Sequence, residues 1–121
     1  MAARILIVDD QAELRRLVWL TLEYGNHELH EADNGVRALQ LLDTVKPELV
    51  VLDVMMPGDI TGCQVCDMIK RQSGSNIKVV MLSAKGQQTD LEEGQLAGAD
   101  AYLVKPFSPL ELVATVEKLL A

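Results

Sequence analysis

Three apolar residues, Val50-Val51-Leu52, run straight into the carboxylate of Asp53, and Val54-Met55-Met56-Pro57 then stops any regular element. A short continuous apolar run closed by a breaker is the pattern of a strand buried on both faces, which requires a sheet with helices on either side. Asp53 thus falls at the carboxyl end of a central strand, the edge where open α/β sheets hold their ligands. Taken alone, an Asp there is equally a residue capping its own turn. Its meaning depends on what the rest of the chain brings to the same edge.

The remaining strands repeat this design. Arg4-Ile5-Leu6-Ile7-Val8 is a β-branched apolar run (β1) ended by Asp9-Asp10. Helical spacing of Leu14, Leu17, Val18 and Leu22 predicts α1 over 11–23, with Trp19 off that stripe. Gly25-Asn26 breaks it. A weaker strand, β2, is predicted over 27–32, and the turn Asp33-Asn34-Gly35 leads into α2 with Val36, Leu39, Leu42 and Val45, which Lys46-Pro47 ends. β3 is predicted over 48–53. Helix α3 begins near Gly62 with Cys63, Cys66 and Ile69 on one face, and β4 over 77–83 ends in Ser83. Thr89-Asp90 opens α4, closed by Ala97-Gly98-Ala99; β5 covers 101–104, followed by Lys105-Pro106-Phe107. Ser108-Pro109-Leu110-Glu111 then starts α5, with a Ser cap, Pro at the first helical position and Glu placed for a capping box. Five strands alternating with five helices predict an α/β fold, a doubly wound five-stranded parallel sheet formed by residues 1–121 as one domain.

Composition narrows the function classes. A net charge of −7 over 121 residues leaves no basic footprint for direct nucleic-acid binding. No apolar stretch approaches the roughly 18–20 residues of a membrane span. Met1-Ala2-Ala3-Arg4 leads directly into a strand without a signal-peptide pattern, and two cysteines make no disulfide framework, so a cytoplasmic location is expected.

In a parallel sheet all strands end on one edge, so Asp9-Asp10, Asp53, Ser83 and Lys105 are candidates for a single crevice. Converging carboxylates repel unless a cation neutralises them, and oxygen donors without His or Cys suit a hard ion, Mg²⁺ by preference. A cation, a lysine and a hydroxyl around a carboxylate make a site for phosphoryl transfer, with Asp53 as nucleophile. The alternative, that each residue caps its own turn, requires four strand ends to carry the right group independently.

With these residues in that order and spacing, together with Met56-Pro57, Gly62, Ser83-Ala84 and Lys105-Pro106-Phe107, the chain resembles the response-regulator receiver domains of two-component signalling over its full length. The resemblance implies the flavodoxin-like strand order 2-1-3-4-5, Asp53 as phosphoacceptor, and Asp10, Asp53 and the backbone carbonyl of Met55 as Mg²⁺ ligands, with Asp9 acting through water. It further implies that Lys105 and Ser83 contact the phosphoryl group, that Ser83 and Tyr102 form the switch, and that Lys105–Pro106 is cis. The partners it implies are a sensor histidine kinase or histidine phosphotransfer protein, and an effector or second copy docking on α4-β5-α5. Met55 and Lys85 match positions flanking the path of the hydrolytic water and offer it no acid or amide, which implies slow self-dephosphorylation.

The chain departs from the family pattern in two places. Gly58-Asp59-Ile60-Thr61 lengthens the loop from Asp53 to Gly62 by one residue, and Leu91 and Thr115 stand where the transcription-factor branch usually has basic residues. The pair Cys63 and Cys66 has CxxC spacing but no further Cys nearby for a metal site, and reads as packing. His27 and His30 have no ligand partner in sequence. Two rival readings stay open: a metal-dependent phosphohydrolase with an aspartyl-phosphate, which usually needs an acid where Met55 stands, and a flavin or nucleotide module, whose phosphate Asp9-Asp10 would repel.

Overall fold

The computed structural model describes residues 3–54, 56, 58, 60–72, 76–84 and 98–121. The expected α4, Met55, Lys85 and Leu91 lie outside them. Strands β1 (Arg4–Val8), β2 (Glu28–Ala32), β3 (Leu49–Asp53), β4 (Lys78–Ala84) and β5 (Ala101–Lys105) form one parallel sheet in the order β2-β1-β3-β4-β5. This is the order that the resemblance implies. Ile5 to Val8 and Leu49 to Leu52 are all buried, as continuous apolar runs in a covered sheet must be. Together these eight side chains contribute on the order of 10–20 kcal/mol of gross burial energy, before chain entropy is set against it.

Alternate strand residues feed two separate cores. On one face Leu6, Val8, Val50, Leu52, Val79 and Met81 pack with α2 (Gly35–Val45) and α3 (Gly62–Arg71). On the other, Ile5, Ile7, Leu49, Val51, Val80 and Leu82 pack with α1 (Ala12–Glu23) and α5 (Pro109–Leu120). Trp19, off the stripe of α1, packs partly buried against this second core.

Two helix faces differ from the expected stripes. In α1 only Val18 and Leu22 are buried, and Leu17 is 43% exposed, because α1 and α5 share one sheet face and each presents a narrow contact line. In α2 the buried residues are Gly35, Ala38 and Leu42, and Val36 is exposed. The helix turns its small residues inward, where a Cβ on Gly35 would already meet Ile60 at 3.0 Å. At α5 the Ser108 cap forms, with the Glu111 N–H donating to Ser108 Oγ at 3.0 Å. The full reciprocal box is found instead at α3, between Thr61 and Gln64.

Candidate functional site

The carboxyl edge of the sheet is built from three strand ends and two turns. Asp53 is the last residue of β3 and is almost fully buried. The register places it beside Leu82, so Ser83 follows one step along β4, and Ala84 pairs with Lys105 of β5. The Lys105–Pro106 bond is cis. From there the Lys105 ammonium donates to Asp53 Oδ2 at 3.1 Å and lies 3.9 Å from Asp9 Oδ2.

Asp9, just past β1, is 1% exposed. Its N–H donates to the Ala32 carbonyl at 3.1 Å, and its Oδ1 accepts from the Gln11 N–H at 2.8 Å. Its Oδ2 is buried and accepts no hydrogen bond among the described residues. Burial raises the Asp9 carboxyl to about 6. The Gln11 N–H and Lys105 favour its ionised form, and the neighbouring Asp53 opposes it. Asp10 is exposed at the mouth, and one carboxylate oxygen each of Asp9, Asp10 and Asp53 lie within 4.8 Å of one another.

These donors fit a hard divalent cation. Three carboxylates converge, Lys105 is the cation that pairs with their oxygens among the described residues, and Asp9 Oδ2, which accepts no hydrogen bond there, belongs to the same cluster. Ser83 is also buried, with its hydroxyl unpartnered among the described residues. That leaves a donor available for an anionic oxygen. The Tyr102 ring packs on the core beneath α3, paired in register with Met81. Its hydroxyl is shielded and unpartnered among the described residues, and burial raises its pKa, with Cys66, Cys63 and Asp100 adding to the effect.

The structure thus brings together Asp9, Asp10, Asp53 and Lys105, with Ser83 on the adjacent strand end. Cys63 and Cys66 are buried in the core that α3 covers and are not among the grouped metal-ligating side chains, as a packing role requires. Two contacts were not legible in the sequence, although Gly62 itself belongs to the pattern that carries the resemblance. Arg15 reaches from α1 to the Asp9 carbonyl, a contact that no periodicity marks. Gly62 brings α3 against the end of β3: its N–H donates to the Val54 carbonyl at 3.2 Å, and a Cβ there would lie 2.0 Å from the Asp53 carbonyl oxygen. Beside the site, a groove separates Ala12, Leu14 and Leu17 of α1 from Lys105-Pro106-Phe107.

Comparison with known proteins agrees with this geometry. Residues 5–117 match the response regulator receiver domain family. The chain is 43% identical over 117 residues to the transcriptional regulatory protein ResD of Bacillus subtilis (strain 168), covering 97% of this chain and 48% of that protein. It is 42% identical over 120 residues to the transcriptional regulatory protein SrrA of Staphylococcus aureus (strain NCTC 8325 / PS 47), covering 99% of this chain and 48% of that protein. The chain therefore spans about half the length of these curated relatives. Among solved structures, Vibrio cholerae chemotaxis protein CheY4 superposes with a TM-score of 0.86 at 30% identity, covering 98% of this chain and 99% of that one. These relatives are regulators and lend no support to the phosphohydrolase reading.

Proposed function

Because the chain belongs to the response-regulator receiver family, we propose that Asp53 accepts a phosphoryl group from the phosphohistidine of a sensor histidine kinase or phosphotransfer protein, and that this 121-residue domain acts as a switch rather than as a turnover enzyme. The observation that carries this reading is the buried Asp53 carboxylate held by Lys105 at 3.1 Å, within one cluster with Asp9 and Asp10. An Asp53 carboxylate oxygen attacks phosphorus. The N–P bond of the donor breaks, and the departing imidazole nitrogen keeps the electron pair and takes up a proton. Asp10, Asp53 and the Met55 carbonyl would hold Mg²⁺, with Asp9 acting through water. When bound, the ion offsets negative charge on the phosphoryl oxygens.

The chain's own groups do the rest. Lys105, already on Asp53, turns its ammonium to a phosphoryl oxygen, and the Ser83 hydroxyl donates to another. Burial of Asp53 and Asp9 excludes water from the nucleophile. The groove between α1 and Lys105-Pro106-Phe107 gives a donor histidine apolar footing beside the lysine. The added charge, about −1.5 to −2, draws Ser83 and Lys105 together, and Tyr102 conveys the change to the α4-β5-α5 face, where an effector or a second copy docks. A cytoplasmic location follows from this reading, since the kinase partners act there.

The test is direct. Acetyl phosphate with Mg²⁺ should add one phosphoryl group by intact mass, and Asp53→Asn, whose amide is not nucleophilic, should take none. Equal labelling of the Asn variant would remove Asp53 from the role.

A further inference from the structure

We propose that Arg15 is a positioning residue for the cation site: its guanidinium, braced by Glu31, fixes the peptide that joins Asp9 to Asp10. This inference rests on the reading of Asp9, Asp10 and Asp53 as the cation's ligands. Arg15 stands one turn into α1 and projects back over the end of the sheet. Its Nη1 donates to the Asp9 carbonyl at 2.8 Å, and its Nε donates to Glu31 Oε1 at 2.8 Å. The Arg15 side chain is 17% exposed, so the pair is partly shielded from solvent.

The Asp9 carbonyl belongs to the peptide plane that carries the Asp10 N–H. Rotating that plane would swing both carboxylates. The Asp9 N–H to Ala32 and the Gln11 N–H to Asp9 Oδ1 hold the two flanks. Arg15 holds the plane between them. Asp10 itself is exposed, and its carboxylate lies within 4.8 Å of the other two; a change of its φ at this peptide would carry it out of that cluster. A planar guanidinium suits the task because its nitrogens donate in fixed, divergent directions to two acceptors at once.

The clamp and simple electrostatics predict opposite signs. Arg15 is a cation near a cation site, so on Coulomb grounds its removal should tighten Mg²⁺ binding. If it positions the ligands, its removal should weaken binding instead, as loss of an outer-shell partner typically does by roughly tenfold or more. The experiment is a calorimetric Mg²⁺ titration of the unsubstituted 121-residue chain, Arg15→Met, Arg15→Lys and Asp9→Asn, each checked for folding by a thermal melt. Arg15→Met should bind roughly tenfold more weakly. Arg15→Lys, with the charge kept but one nitrogen where two are used, should bind less weakly than that but below the unsubstituted chain.

Affinity in Arg15→Met equal to or above that of the unsubstituted chain overturns the clamp, as does unaltered affinity in Arg15→Lys. Should Arg15→Met fail to fold, Arg15→Lys alone decides. Asp9→Asn separates the two levels of the reading. If it weakens binding while the Arg15 variants do not, the site stands and the clamp falls. Absence of saturable binding by the unsubstituted chain overturns both.

Discussion

Asp9 is the residue at which burial and function pull hardest against each other. Its carboxyl ionises at 3.8 in the reference state and at about 6 in the fold, burial being the largest cause. Between those values the folded state keeps a proton that the unfolded chain has released. The stability tied to this group is therefore complete below the lower value and is lost as pH rises through the upper one. A bound divalent cation restores it by favouring the ionised form. Asp9→Asn keeps the shape and the acceptor for the Gln11 N–H but removes the charge. Without metal, at about pH 8 where the wild-type group is ionised, this variant should be more stable, by on the order of 2 kcal/mol. With excess Mg²⁺ the advantage should shrink or reverse. Thermal melts with and without Mg²⁺ measure both halves; a metal-free Asn variant that melts below wild type would contradict the argument. Burial acts in the same direction on Cys66, whose thiol is pushed up to about 11. Cys66 is thus held as a neutral thiol, in keeping with packing rather than redox work.

At the scale of elements, α3 sets how close the helix layer comes to the end of β3. Its capping box, Thr61 with Gln64, fixes the first turn, and Gly62 then lies against the Asp53 carbonyl with no room for a side chain. Gly62→Ala must push α3 away or displace Asp53. We expect a loss of about 1–3 kcal/mol, the usual cost of overpacking, together with slower labelling by acetyl phosphate. Thr61→Ala is the control, since losing the cap costs about 1 kcal/mol without touching Asp53. Denaturant melts and mass spectrometry on both variants separate the two effects, and normal labelling of Gly62→Ala would show that the contact does not matter to the site. These contacts also explain what was legible in the sequence. The strands and their chemical ends, from Asp9 to Lys105, could be read because continuous apolar runs and the polar residues that stop them are local signals. On α2 the inward places of Leu39 and Leu42 were legible, whereas those of Gly35 and Ala38 were not, because small residues carry little hydrophobic signal even where a close neighbour such as Ile60 leaves no room for more than glycine. The Thr61-x-x-Gln64 signature was present and could have been recognised. The fit of Gly62 on Asp53 and the reach of Arg15 to Glu31 depend on residues that only the fold brings together, and no spacing rule encodes them.

Over the whole molecule, the sheet separates two cores, and its two edge strands differ in character. β2 carries Glu28, His30 and Glu31, charged or polar groups that discourage pairing with another sheet. β5 presents Val104, which is 40% exposed, on the proposed output side. Leu110, in the first turn of α5, is exposed and lines a groove with Leu20 of α1 and Tyr24 just past it. Thr115 of α5 stands where related transcription factors usually have a base, and its hydroxyl donates to the Glu111 carbonyl at 2.8 Å, so it offers no charge for an ion pair. In the sequence, Leu91 stands where the expected α4 would carry the corresponding base. A face that docks a second copy through such residues must rely on apolar burial. Ion-paired association weakens as salt screens it, over a Debye length that falls from about 10 Å at 0.1 M to about 3 Å at 1 M. Apolar association holds or strengthens in salts that favour burial. Where the phosphorylated protein self-associates, it should therefore do so with little loss at high salt, and Val104→Glu or Leu91→Glu should reduce it by placing a desolvated carboxylate in the contact. Sedimentation at two salt concentrations decides between the mechanisms. Association that collapses at high salt and is indifferent to both substitutions would mean that partners meet this domain through charge, or on another face.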